Sequence, residues 1–81
     1  MSPGKKVDEK AGILDFDAAE FYKRGLSLSQ EGCHEEALEA LNFAIAKDPT
    51  HAEAYFLRGA CFYALGRYDR AGDDIDAAAI L

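Results

Sequence analysis

With 81 residues, the chain has room for one small domain and a narrow stability margin. Hydrophobic residues make up 49% of it and charged ones 30%, a globular composition that excludes a disordered chain. The formal net charge of -6, with Lys5 and Lys6 only a short basic start, disfavours nucleic acid and anionic lipid, and no apolar run approaches the roughly 20 residues of a membrane span.

In chain order, residues 1–16 read as a flexible N-terminal arm, carrying Ser2, Pro3, Gly4, Gly12 and alternating charges. Its apolar cluster, Ile13, Leu14 and Phe16, is able to dock back on the domain. Asp17 and Glu20 have capping-box spacing, and Phe21, Gly25 and Leu28 share a helical face, so a helix is predicted from about Ala18 to Ser29. After the break at Gly32, Ala37, Leu41, Ala44 and Ile45 hold helical spacing to about Lys47, with Glu35, Glu36 and Glu39 on the solvent side. Pro49 stops this helix, and Thr50-His51-Ala52-Glu53 reads as a capping box that starts a third helix, through about Leu65, with Tyr55, Gly59 and Phe62 packed. Gly66 ends it, and Ala71, Ile75, Ala78 and Ala79 mark a fourth helix, with Asp73, Asp74 and Asp76 towards solvent and Gly72 an internal cost. Arg67 with Asp69 and Arg70 with Asp74 read as surface ion pairs of small effect.

The two halves match at an offset of 34 residues: Ala18/Ala52, Arg24/Arg58, Gly25/Gly59, Gly32/Gly66, Ala37/Ala71 and Ala44/Ala78 are identical, and Phe21/Tyr55, Leu28/Phe62, Glu35/Asp69 and Leu41/Ile75 are conservative. A fixed period of this length marks a repeat architecture. Gly25 and Gly59, costly inside helices, imply close crossings, with Ala37, Ala44, Ala71 and Ala78 expected across from them. The repeated residues are small or apolar, so a packing unit is duplicated and a binding module, not an enzyme, is expected. Residues 17–81 form the domain, with repeat one at 18–51 and repeat two, truncated at its end, at 52–81.

The pattern Phe21-x2-Arg24-Gly25-x2-Leu28, Ala37-x3-Leu41-x2-Ala44 and Pro49, repeated as Tyr55-x2-Arg58-Gly59-x2-Phe62 and Ala71-x3-Ile75-x2-Ala78, resembles the tetratricopeptide repeat family. Each half has Phe or Tyr in place of the commoner Trp, and Arg in place of the usual Leu before the Gly. The resemblance implies an all-α fold of two helix-turn-helix units, four antiparallel helices in a short right-handed superhelical solenoid. It also implies a concave groove that binds a peptide or protein segment. By the family pattern the first repeat contributes Ala19, Tyr22, Lys23, Leu26, Ser29 and Gln30. The second contributes Glu53, Phe56, Leu57, Ala60, Tyr63 and Ala64. Leu26, Phe56, Leu57 and Tyr63 suit an apolar or aromatic anchor, with Lys23 and Gln30 as flanking polar contacts, and would serve equally to pack against the arm or another subunit. Family members that clamp a chaperone tail's carboxylate use Lys and Asn where this chain has Tyr22, Leu26 and Leu57, so that ligand is disfavoured. Bacterial secretion chaperones built from similar repeats are a second resemblance.

The last helix finishes Ala77-Ala78-Ala79-Ile80-Leu81, an open apolar edge to be covered by a second copy in a homodimer, by the arm, or by further residues. Met1 suggests a true start, which would place any missing part after Leu81. Cys33, His34, His51 and Cys61 lack metal-ligand spacing, no phosphate loop is present, and no cofactor is expected. With two thiols and no secretory signal, a cytoplasmic location with reduced cysteines is expected.

Overall fold

The computed structural model describes residues 16–81, and these form four helices: α1 (Ala18–Gln30), α2 (His34–Lys47), α3 (Ala52–Ala64) and α4 (Tyr68–Ile80). They pair as two hairpins, α1 with α2 and α3 with α4, and α3 packs on the first hairpin. Both α1/α3 and α2/α4 start 34 residues apart, so the duplication in sequence is a duplication of the fold. The expected arm lies outside the described residues except for Phe16, which is half-buried with its ring 5.5 Å from that of Phe21.

Local signals set the helix ends. The Glu20 N–H donates to Asp17 Oδ1 (2.8 Å) and the Asp17 N–H donates to Glu20 Oε1 (3.1 Å), which satisfies two of the donors orphaned at the start of α1. Gly32 and Gly66 close α1 and α3 at φ 83° and 80°, where a Cβ would be strained. At both ends the glycine N–H bonds three residues back (3.0 Å) and the next N–H bonds five back (2.8 Å). The start of α3 differs from the sequence reading. Thr50 does not cap it, because its N–H and hydroxyl both donate to Asp48 Oδ1, at 3.0 and 2.7 Å. The cap is His51, whose Nδ1 accepts from the Ala54 N–H (3.2 Å). The two Thr50 hydrogen bonds hold the Asp48 carboxyl below its ordinary range. Their contribution to the turn is therefore complete above that range and is lost as the pH falls below it, through the lowered value.

The core centres on α2, where Ala37, Leu41 and Ala44 are fully buried, and extends to Phe21, Ala54, Cys61, Phe62 and Ala71. The close crossings at the two helix-interior glycines are present, and of the expected alanines Ala37 and Ala71 stand across from them, through their carbonyls, beside Leu41 and Ile75. A Cβ on Gly25 would lie 2.8 Å from Leu41 Cγ and Cδ2, and one on Gly59 would lie 3.1 Å from the Ala71 carbonyl and from Ile75 Cγ1.

Two electrostatic expectations are corrected. Asp74 is not a solvent-facing residue of α4: it is 5% exposed and chelates Arg58 of α3, Nε to Oδ2 at 2.7 Å and Nη2 to Oδ1 at 2.8 Å. Arg58 Nη1 also donates to Asn42 of α2 (2.9 Å), so one guanidinium ties three helices together. This pairing raises the Arg58 pKa further, so the charge persists at any working pH. Arg67 pairs with Glu35 across the hairpins (2.9 Å), not with Asp69, while Arg70 lies over the Phe62 ring at 5.6 Å.

Three substitutions test this packing. Gly25→Ala should destabilise the fold by roughly 1–2 kcal/mol, because Leu41 has no space to yield. Gly72→Ala, with nothing within 4 Å of its Cβ, should stabilise it by up to about 1 kcal/mol. Asp74→Ala should cost about 2 kcal/mol or more by stranding the Arg58 guanidinium. Urea unfolding followed by circular dichroism measures all three.

Candidate functional site

The face shared by α1 and α3 is shaped by the turn between the hairpins. His51 caps α3 with Nδ1, which fixes the proton on Nε2, and its ring tilts against Tyr22 of α1 with centroids 5.3 Å apart. Glu53 Oε1 lies 3.6 Å from the same Nδ1, but that nitrogen is already an acceptor and the contact is not an ion pair. Tyr22 is thereby held half-buried as one wall of an open depression of about 390 Å³, completed by Ala52, Glu53, Phe56 and Ala78. Phe56 is 58% exposed, an apolar ring offered to solvent beside a carboxylate.

Of the residues expected in the groove, Tyr22, Glu53 and Phe56 converge on this depression. Leu57 turns into the core at the joint between the hairpins, and Leu26 is half-buried. Ser29 is half-buried. Lys23, Gln30, Ala60, Ala19 and Ala64 are exposed on α1 and α3 without lining the depression. Tyr63, 64% exposed, packs edge-on against Tyr68 of α4 with centroids 5.0 Å apart. Ala52 and Ala78, which line the depression, and His51, which stands behind Tyr22, are outside the residues the family pattern gives for the groove. The legible signal for His51 is its position directly before α3, and for Ala78 its match to Ala44 in the repeat.

A second depression, of about 300 Å³, opens on the other side of repeat one between α1 and α2, around Phe16, Phe21, Arg24, Leu28 and Ala40. Phe43 stacks on Phe21 there at 5.2 Å, so its aromatic walls largely satisfy one another. The corresponding depression of repeat two, also of about 300 Å³, is lined by Asn42, Arg58, Phe62, Arg70, Asp73 and Asp74, so the Arg58–Asp74 pair forms its wall where repeat one has Arg24 and Ala40.

Neither thiol is a poised nucleophile. Burial pushes the pKa of Cys61 up, and burial together with Glu36 raises that of Cys33. Among the described residues, no three His, Cys, Asp or Glu side chains gather to hold a metal ion, and no helix is long and apolar enough to cross a membrane.

The tetratricopeptide repeat family model matches residues 22–81. An uncharacterized protein of Methanocaldococcus jannaschii is 37% identical over 51 residues, which is 63% of this chain and 59% of that relative. The chain thus spans less than two thirds of that relative's length. No solved structure gave a significant match.

The His51 cap generates a direct prediction. His51→Ala should lower stability by about 1 kcal/mol, while His51→Asn, a better cap, should hold it, as read from urea midpoints.

Proposed function

Since the chain belongs to the tetratricopeptide repeat family, whose repeats are non-enzymatic scaffolds for protein–protein interaction, we propose that it is an adaptor that takes a partner's peptide segment on the α1/α3 face. The observation that carries this reading is the depression of Tyr22, Glu53 and Phe56, in which an exposed aromatic ring stands beside a half-buried one and a single carboxylate. An apolar or aromatic anchor would bury the Phe56 ring, and a peptide amide or a basic side chain would meet Glu53. Lys23 and Gln30 stand exposed further along α1, available as flanking contacts. A reducing, cytoplasmic setting is part of the proposal, supported by Cys33 and Cys61 standing as free thiols.

Immobilised peptides that vary one apolar anchor residue, screened for binding by the full chain, test this function. Phe56→Ala should weaken the selected peptides about tenfold or more with little change in melting temperature, because the ring is mostly outside the core. Binding unchanged by Phe56→Ala and by Glu53→Lys would remove the depression as the site.

A further inference from the structure

The joint between the hairpins shows what one end of this fold accepts, because α3 is itself a helix laid on repeat one. Its contact stripe is Ala54, Leu57, Cys61 and Leu65, two of them buried and two packed half-buried on the core. Two cations flank that stripe: Arg58 donates to Asn42, and Arg67 pairs with Glu35.

The receiving residues recur on α4 at the same offset of 34, now uncovered. Ile75 occupies the place of Leu41 and is 42% exposed, and Tyr68 occupies the place of His34 and is 62% exposed. Asp76 stands for Asn42 and Asp69 for Glu35, both exposed. The outer face of repeat two therefore keeps one large aliphatic residue of the joint, Ile75, with Gly72 and Ala79 in the places of Leu38 and Ile45, and presents carboxylates at both places where repeat one engages an arginine.

A second copy's leading face is a poor occupant. The positions equivalent to the stripe of α3 are Glu20, Lys23, Ser27 and Glu31, all exposed; of the two flanking cations Arg24 keeps the place of Arg58, while Cys33 stands where Arg67 is. Seating Glu20 and Glu31 against a face edged by Asp69 and Asp76 would desolvate like charges together.

We propose that the outer face of repeat two docks a cationic amphipathic helix of a partner protein, seated as α3 is seated on repeat one. Such a helix carries apolar residues at i, i+3, i+7 and i+11, a basic residue at i+4 that reaches Asp76, and another at i+13 that reaches Asp69. This surface is separate from the Tyr22–Phe56 depression, and its occupant is selected by charge as well as by apolar area.

The chain supplies its own probe, a helix-stabilised fluorescent peptide with the sequence of residues 51–67, titrated against the full chain at low salt. Saturable binding is expected, weakened at least tenfold in the Asp69→Lys/Asp76→Lys variant. A peptide carrying Arg58→Glu and Arg67→Glu should regain affinity for that variant, a rescue that mere loss of structure would not produce. No saturable binding, or equal binding to the native chain and the variant, would overturn the proposal. So would loss of binding on Glu53→Lys with the Asp variant unaffected, which places the peptide in the depression. A dimer of the native chain that becomes a monomer in the variant would assign the face to a second copy instead.

Discussion

The structure depends on the burial of one stripe of α3 against the first hairpin. One core cluster runs through both hairpins, and Leu41, Ala44, Ala54 and Cys61 are fully buried in it, with α3 laid on α2 and α1. At about 25 cal/mol per Å² of apolar surface removed from water, a joint built on a few such side chains supplies several kcal/mol, a large share of what a domain this small can hold. The turn that delivers α3 to the joint, with Asp48 bound to Thr50 and His51 capping the helix, also sets Tyr22 beside Phe56. Fold and candidate site thus share one constraint.

The joint is polarised. The leading face of repeat one is polar along Glu20, Lys23, Ser27 and Glu31, whereas the trailing face of repeat two exposes Tyr68 and Ile75 between the carboxylates Asp69 and Asp76. Inside repeat two, the Arg58–Asp74 pair bridges α3 and α4 at the place where repeat one has Arg24 and Ala40. A buried pair of this kind adds little over an apolar filling, yet losing one partner is costly, so its main effect is to fix how α3 and α4 register. Beside the pair, Ile75 packs its Cγ1 against Gly59 and stays part-exposed, and Asp76 stands in solvent.

Much of the fold is legible in the sequence because it is written locally and twice. The offset of Gly25/Gly59 and Gly32/Gly66 places the crossings and turns, and the Asp17–Glu20 box starts α1 where expected. The misreadings have physical causes. Asp74 looked solvent-facing because a carboxylate on an amphipathic helix usually is, and its partner Arg58 is distant in sequence; the available clue was a charged residue at the place where repeat one has the buried Ala40. Thr50 lost the cap to His51 because Asp48, two residues earlier, engages both its N–H and its hydroxyl. Of the groove residues, Leu57 follows the helix face turned to the joint, a distinction that family pattern alone does not draw.

The most direct test is native-state hydrogen exchange of the full chain, resolved by residue. With the joint as the dominant constraint, the slowest amides should lie together in the buried stretches of α2 and α3, exchanging with one common free energy, and protection should fall along α4, where only Ala71 and Asp74 are buried among its side chains. Two hairpins exchanging with separate free energies, or α4 as well protected as α2, would contradict a fold held together by α3 on repeat one.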